Sequence, residues 1–196
     1  MPDDVLRALA RCEEVERVIV VSGEGRAERI AMRAAQQVKT PIEVLREPSD
    51  NGHSEAAVLG IVRAKALGAR CSALLPGDCP LLDSEELDVA LRSQPPAGVA
   101  VIPDRHGDGT NGLILSPADA MNPAFGPDSR RIHVERAGLM GLEVTVRELG
   151  SLGLDLDTPD DLVELMRVLE AEPARGPETA RAFQRMRMGS ADADEQ

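Results

Sequence analysis

The sequence predicts an α/β fold of three layers, in which helices cover both faces of a mostly parallel β-sheet. Short apolar runs of β-branched residues, such as VIVV at 18–21, are typical of strands buried on both faces. These runs alternate with segments of helical periodicity, as in sheets with crossover helices. Of the 196 residues, 42% are hydrophobic and only 2 are Phe, with no Tyr or Trp, so we expect an almost wholly aliphatic core.

The first half of the chain is expected to alternate helices with strands. Ile30, Ala34 and Val38 recur at spacings of four and predict a helix. Pro41 precedes the second strand, and Gly68 ends an Ala-rich helix. In chain order, we expect the end of a helix at 4–11, a strand at 18–21, a helix at 24–38, a strand at 42–45, a helix at 54–67 and a strand at 72–75.

The second half continues the alternation. Ser84 is expected to cap a helix that carries Glu85 and Glu86 in its first turn, where acidic side chains are favoured. Thr158 is expected to cap the last helix, with Pro159 at its first position. In chain order, we expect a helix at 84–92, strands at 99–102 and 113–115, a helix at 129–139, a strand at 142–146 and a helix from 158 to about 169.

The alternating pattern ends near residue 172. Residues 1–172 fit one domain of the usual size, roughly 100–200 residues. Pro173, Gly176 and Pro177 then interrupt the periodicity, and a short basic stretch follows. We therefore expect residues 173–196 to form a tail that is partly helical and disordered at its end.

Composition excludes several classes of function. A net charge of −12 and a near absence of aromatic residues argue against binding to nucleic acid. No run approaches the roughly 20 apolar residues of a membrane span, and none resembles a signal peptide. Cys12, Cys71 and Cys79 form no CxxC pair, which predicts reduced thiols rather than a zinc site. We expect a cytoplasmic protein that binds neither nucleic acid nor membrane.

Two acidic motifs follow expected strands at the edge of the sheet where α/β proteins bind ligands. LLPGDCPLL places Asp78 on a stiff turn, and GLDLDTPDDL carries Asp155 and Asp157. We expect these two side chains to face opposite sides of an extended segment. Two acids from distant segments suit a Mg²⁺ bound to a phosphate substrate. The alternative is that Asp78 only makes a turn and that Asp157 only caps a helix.

Two further motifs suit the binding of an anion. In PDRHGDGTN (103–111), Arg105 and His106 carry side chains that can contact an anion. Gly107 and Gly109 allow backbone N–H groups to approach a ligand, beside the Thr110 hydroxyl. The alternative is an ordinary turn between two strands.

The second of these motifs, FGPDSRRIH (125–133), begins a helix. Gly126 and a capping Ser129 form the N-terminal anion site, to which Arg130 and Arg131 add charge. The alternative is a capped surface helix with solvated arginines. The role of His133 stays open between an anion contact and a hydrogen-bonded helix histidine.

Together, LLPGDCPLL, PDRHGDGTNGLIL, FGPDSRRIHVERA and LDLDTPDDL resemble the 2-phospholactate or phosphoenolpyruvate guanylyltransferases of deazaflavin coenzyme (coenzyme F420) biosynthesis. The resemblance extends to about residue 170. It implies a nucleotide-diphospho-sugar-transferase-like (Rossmann-like) fold and Mg²⁺ as the cofactor. It also implies that GMP passes from GTP to a phosphorylated three-carbon acid, with release of pyrophosphate. Phosphoenolpyruvate, 2-phospholactate and 3-phosphoglycerate are the candidate acceptors.

The resemblance also implies roles for individual residues. Asp78 and Asp157 are the expected catalytic and metal-binding carboxylates, with Asp155 as a further metal ligand. The residues expected to bind the acceptor are Thr110, Gly126, Ser129 and Arg130. Those expected to frame the nucleotide are Gly52, Ser54, Glu55 and Gly77, although the family usually has Asn at the position of Ser54.

One departure from the family concerns the start of the chain. The family begins with a strand and a loop carrying Lys and Arg, whereas this sequence begins inside the following helix. We therefore expect the N-terminal strand to be missing from the sheet, leaving an apolar groove and a possible homodimer through it. Two alternative functions stay open: a catalytically weak or non-catalytic binding module, and a nucleotidylyltransferase of the molybdenum-cofactor type.

Overall fold

The computed structural model of the protein describes residues 2–47 and 52–191. Each helix and strand that the sequence predicts is present, within a few residues at its ends. The helices are α1 (Pro2–Leu9), α2 (Gly25–Ala35), α3 (His53–Ala66), α4 (Ser84–Arg92), α5 (Ser129–Leu139), α6 (Pro159–Ala171) and α7 (Pro177–Ala191), with a short 3₁₀ turn at Pro173–Arg175. The strands are β1 (Val18–Ser22), β2 (Ile42–Arg46), β3 (Ser72–Leu74), β4 (Gly98–Pro103), β5 (Thr110–Ser116) and β6 (Glu143–Val146).

The strands form two sheets, and the α/β class is confirmed. Strands β1 and β2 pair in parallel, and the second sheet has the order β3-β5-β4-β6. Strand β5 is antiparallel to both neighbours, whereas β4 and β6 are parallel. The strand directions are therefore mixed rather than mostly parallel. The short loop at 104–109 joins β4 directly to β5, and parallel pairing would need a much longer crossover.

Strand β1 is at the edge of the two-stranded sheet, and β3 is at the edge of the four-stranded sheet. Within residues 2–47 and 52–191, no strand lies between these two edges. A cavity of about 1930 Å³ lies there and is lined from both sheets and from α3. Val18 and Ile19 of β1 face it, as do Ala73 and Leu74 of β3. The groove at this position is lined by acidic residues, such as Asp78 and Asp157, as well as by the apolar ones that were expected.

The core covers both faces of the four-stranded sheet and is aliphatic. On one face Val99 and Val101 of β4 pack in a buried cluster with Ala137 of α5. On the other face Ala100 and Ile102 pack with Leu87 of α4. Alternate residues of β4 thus face opposite helical layers, which gives the three-layer arrangement.

The capping residues differ in part from the prediction. Thr158 caps α6 as expected, in a capping box with Asp161. Asp83, rather than Ser84, caps α4, and its carboxylate accepts the N–H groups of two residues in the first turn. Asp128 precedes α5 in the left-handed conformation (φ 57°), so Ser129 is the first residue of that helix instead of its cap.

The start of the segment after residue 172 packs on the domain, whereas the end that was expected to be disordered, at 192–196, lies outside the described residues. Asp4 of α1 is buried, and its carboxylate accepts hydrogen bonds from the backbone N–H groups of Glu178 and Thr179 and from the Thr179 hydroxyl. Ala180 is buried in a cluster with Leu165 of α6. The packed body therefore extends well into α7. Across the ranges described, no helix is long and apolar enough to cross a membrane.

Candidate functional site

The cavity between the two sheets collects most of the predicted site residues. Those that line it are Gly77, Asp78, Thr110, Gly126, Ser129, Asp155 and Asp157. Four others, Gly52, Ser54, Glu55 and Arg130, are not among its lining residues within the described chain. His53 and Ala56, on the same turn as Ser54, do line it, so the expected nucleotide turn borders the cavity through different side chains.

Asp78 lies directly after β3, on the turn made by Pro76 and Gly77. Its side chain is half-buried, and its Oδ1 atom is fully covered without a hydrogen-bond partner in the described structure. Burial raises the pKa of Asp78, and the nearby Asp157 carboxylate raises it further, against the lowering effects of its own backbone N–H and of His53. An unpartnered, desolvated carboxylate oxygen beside another acid is suited to a cation.

Asp155 and Asp157 line the same cavity, so the expectation that they face opposite sides is wrong. Residues two apart on an extended segment lie on the same face, so the period of a strand already places these two acids together, and the expectation misapplied that period. Burial raises the pKa of Asp155, the Asn111 side chain lowers it, and the charges of Asp157 and Asp78 raise it. The charges of Asp78 and Asp157 therefore both act on Asp155.

Asn111 is a site residue that the sequence analysis did not single out. It is buried in β5, and its Nδ2 atom donates to the Leu152 carbonyl at 2.9 Å. Its side chain also lies close enough to Asp155 to lower the pKa of that carboxyl. A buried amide with these partners holds the segment that carries the second acidic motif. The available signal was a polar Asn entering an otherwise apolar strand, in TNGLILS.

The loop at 104–109 is held by its own acid and by α6. The Asp104 carboxylate accepts the N–H groups of Gly107 at 2.6 Å and Gly109 at 3.2 Å. These two N–H groups are therefore not the free donors that the sequence suggested. Arg105 pairs with the buried Asp161 at 2.6 Å, so its charge is directed to the capping box of α6 instead of to an anion.

The Thr110 hydroxyl joins β5 to α5 at the cavity wall. Thr110 Oγ1 lies 3.0 Å from His133 Nδ1 and 3.2 Å from Ser129 Oγ. His133 is fully buried, and its Nε2 atom accepts the Ala124 N–H at 2.8 Å. Burial lowers the pKa of His133 to about 4, with a smaller contribution from the Arg136 charge. His133 is thus a hydrogen-bonded helix histidine, and its partner is a predicted site residue.

The turn before α5 connects the acceptor motif to α3. Gly126 has φ 127°, a conformation that strongly favours glycine. Ser54 Oγ accepts the Phe125 N–H at 2.8 Å, which ties the start of α3 to this turn. Arg130 Nη1 donates to the Gly107 carbonyl at 2.9 Å, and Arg131 pairs with Glu135 on the surface. Arg130 therefore braces the 104–109 loop from outside the cavity lining.

The acidic residues fit a cation held partly by its substrate. No group of three or more His, Cys, Asp or Glu side chains is arranged to hold a metal ion within 2–47 and 52–191. Asp78 contributes an unpartnered oxygen, and Asp157 lines the same space. Mg²⁺ is commonly bound by one or two carboxylates, with water and phosphate oxygens completing its shell. Cys79 is buried and its thiol pKa is raised, mainly by burial, so it is not a nucleophile here.

Comparison with known proteins places the chain in a family. A family model described as "Guanylyl transferase CofC like" matches residues 1–176. A protein named phosphoenolpyruvate guanylyltransferase from Conexibacter woesei is 40% identical over 168 residues, which cover 85% of this chain and 73% of that protein. A protein named 3-phospho-D-glycerate guanylyltransferase from Phenylobacterium zucineum is 34% identical over 167 residues, covering 84% of this chain and 74% of that protein.

Solved structures match the fold. A protein of Desulfovibrio desulfuricans G20, provisionally described as a nucleotide-diphospho-sugar transferase, has a TM-score of 0.69 at 19% identity, covering 93% of this chain and 78% of that one. The 4-diphosphocytidyl-2C-methyl-D-erythritol synthase of Anaerococcus prevotii has a TM-score of 0.62 at 13% identity, covering 86% and 88%. These likenesses confirm the expected nucleotide-diphospho-sugar-transferase-like fold, and the sequence matches decide the family. The chain belongs to the CofC-like guanylyl transferase family.

Proposed function

We propose that this protein transfers GMP from GTP to the phosphate of a small phosphorylated acid and releases pyrophosphate, as a step of deazaflavin coenzyme (coenzyme F420) biosynthesis. The observation that carries the proposal is one cavity lined both by the acids Asp78 and Asp157 and by the hydroxyl residues Thr110 and Ser129. Phosphoenolpyruvate is the proposed acceptor, because two relatives named phosphoenolpyruvate guanylyltransferase are 40% and 35% identical to this chain.

The proposed reaction is a phosphoryl-group displacement. A phosphate oxygen of the acceptor attacks the α-phosphorus of GTP and forms a new P–O–P linkage. The bond from the α-phosphorus to the bridging oxygen breaks, and both of its electrons leave with pyrophosphate. Because the attacking oxygen is already anionic near neutral pH, the protein needs no strong general base. Its task is to align two anions and to offset their charge.

Asp78 and Asp157 are the proposed metal-binding carboxylates, and Asp155 lies close enough to influence them. A bound Mg²⁺ would neutralise phosphate charge and favour in-line geometry. The protein's own contribution is to keep the Asp78 carboxylate desolvated, with its covered Oδ1 atom left without a hydrogen-bond partner in the described structure. Asn111 holds the segment before Asp155 through the Leu152 carbonyl, and its side chain favours the charged form of Asp155.

The acceptor is proposed to bind at the Thr110 and Ser129 hydroxyls, beside the Gly126 turn. Hydroxyl protons and backbone N–H groups are donors, and carboxylate and phosphate oxygens are acceptors. GTP is proposed to lie toward Gly77 and His53, which line the cavity beside Asp78. Gly52, Ser54 and Glu55 would then shape the nucleotide turn without contacting the cavity directly.

The test is pyrophosphate release with GTP and Mg²⁺, using phosphoenolpyruvate, 2-phospholactate and 3-phosphoglycerate in separate reactions. We expect release that depends on an acceptor and is greatest with phosphoenolpyruvate. Asp78→Ala should remove the activity, whereas Asp160→Ala, on an exposed residue of α6, should keep it. Acceptor-independent release, or none with any of the three acids, would contradict the proposal. Mass spectrometry of the product separates GMP transfer from simple hydrolysis of GTP.

Two further properties belong to the same proposal. We place the enzyme in the cytoplasm, where its nucleotide substrate is made. The open edges of β1 and β3 favour pairing with another copy, so we propose a weak homodimer. Sedimentation velocity over a hundredfold concentration range tests the dimer, and a single monomeric species throughout would contradict it.

A further inference from the structure

The proton positions around His133 are fixed by its neighbours. A backbone N–H can only donate, so the Ala124 N–H at 2.8 Å requires a lone pair on His133 Nε2. The buried ring is neutral at neutral pH, because burial lowers its pKa to about 4. Its one proton therefore lies on Nδ1. Since Nδ1 is 3.0 Å from Thr110 Oγ1, the imidazole donates and the hydroxyl oxygen accepts.

This direction constrains the two hydroxyls. Thr110 and Ser129 carry one hydroxyl proton each, and their oxygens are 3.2 Å apart. One proton bridges the two oxygens, whichever residue supplies it. The second proton cannot point to His133, because Nδ1 already donates. It remains available to a ligand in the cavity that both residues line.

We propose that His133 is a positioning residue for the acceptor: its Nδ1–H tautomer makes the Thr110–Ser129 pair a hydrogen-bond donor to an anionic oxygen. The inference rests on the proposed function, in which the acceptor binds at these hydroxyls. Carboxylate and phosphate oxygens only accept, so a pair that donates is complementary to them. With the opposite tautomer, the Thr110 proton would turn to Nδ1 and the pair would lose its free donor.

The first test measures the tautomer and needs no substrate. The protein with ¹⁵N-labelled histidine is examined by long-range ¹H–¹⁵N correlation at neutral pH. The His133 signals are identified by their loss in His133→Asn, because His53 and His106 are the other two histidines. We expect a protonated Nδ1 and an unprotonated Nε2. A protonated Nε2, or a ring protonated on both nitrogens, would overturn the inference.

The second test separates positioning from general stability. The Asn side chain can place an N–H donor near the position of Nδ1, whereas Gln places its amide near Nε2. We expect His133→Gln to raise the acceptor KM about tenfold, as for the loss of one hydrogen bond, and to leave the KM for GTP unchanged. His133→Asn should stay within about threefold of wild type by the same reasoning. Equal changes in both KM values, or equal effects of the two variants, would overturn the inference.

A double-mutant comparison completes the design. If His133 acts through Thr110, His133→Gln should add little to the acceptor KM of Thr110→Val, because the hydroxyl that it orients is gone. Fully additive effects would contradict the inference. An inactive wild-type chain would contradict the proposed function alone, since the tautomer is measured without any substrate.

Discussion

Arg105 Nη2 lies 2.6 Å from the buried Oδ1 of Asp161, which ties the loop between β4 and β5 to the start of α6. Asp161 also accepts the N–H and the hydroxyl of Thr158, both at 2.7 Å. One carboxylate thereby connects the predicted anion loop to the second acidic motif. The Thr158 hydrogen bond, together with the Arg105 charge, lowers the pKa of Asp161 against the effect of its burial.

Removing the Arg105 partner should destabilise the fold. Arg105→Ala leaves Asp161 with a buried oxygen and no counter-charge, so we expect a loss of about 1–3 kcal/mol in the free energy of unfolding. Urea denaturation measures the loss. Arg131→Ala is the matched control, because both members of its pair with Glu135 are exposed and solvent screens their attraction. Equal losses in the two variants would show that burial of the pair is unimportant.

Asp78→Asn should stabilise the protein and inactivate it. Because burial and Asp157 raise the pKa of Asp78, its charge opposes folding above that pKa, and the opposition is relieved as pH falls through it. The neutral amide removes this cost at neutral pH, so we expect a higher Tm without Mg²⁺. GMP transfer should fall on the order of 100-fold or more. Calorimetry with and without Mg²⁺ measures the change in Tm, and the pyrophosphate assay measures the loss of GMP transfer. A lower Tm in Asp78→Asn than in wild type would contradict this prediction.

His133 should make stability depend on pH. Its folded pKa of about 4 lies below the ordinary value of 6.5, so the unfolded chain binds more protons between these values. The free energy of unfolding should therefore fall as pH drops from 6.5 to 4, by about 3 kcal/mol from this residue. Denaturation of wild type and His133→Asn across this range isolates the contribution. Parallel curves for the two proteins would contradict it.

The Asp4 carboxylate should hold α7 in place. Asp4→Ala leaves two backbone N–H groups at the start of α7 without their acceptor, at an expected cost of about 1–3 kcal/mol. In Asp4→Ala, the backbone amides of α7 should exchange faster than in wild type under conditions in which the rest of the fold stays intact. Asp3→Ala is the control, since its ion pair with Arg33 is partly exposed. If α7 exchanges equally fast in wild type, the packing of this helix does not depend on Asp4.

Local pattern was enough to predict the elements. Alternating apolar runs predict strands, and apolar residues spaced four apart, such as Ile30 and Ala34, predict helices. Both patterns depend only on neighbours in the sequence, so the sequence alone is enough to detect them. The helix cap predicted at Thr158 was correct. The cap predicted at Ser84 lies one residue earlier in the structure, because Asp83 is an equally good capping residue and precedes it. Strand direction was not predictable from periodicity, since it depends on whether a connection is long enough to cross the sheet.

The site was predictable as a set of motifs but not as contacts. Asp78, Thr110 and Ser129 stand out by their residue types and turns, and the structure brings them to one cavity. The pairs Arg105–Asp161 and Asn111–Asp155 join residues far apart in the chain, and no periodicity encodes such partners. The packing of α7 also escaped prediction, because its contacts, such as that of the Thr179 N–H with Asp4 of α1, join residues far apart in the chain.

The Thr110 and Ser129 hydroxyls at the acceptor end of the cavity offer dipoles to a ligand. The arginines of the two predicted anion motifs are directed elsewhere: Arg105 to Asp161, Arg130 to a backbone carbonyl and Arg131 to Glu135. Dipoles act over short distances, while the attraction between separated ions is screened over about 8 Å at physiological salt. In a protein with a net charge of −12, an acceptor held by these hydroxyls is therefore selected by short-range fit rather than by long-range attraction to the protein.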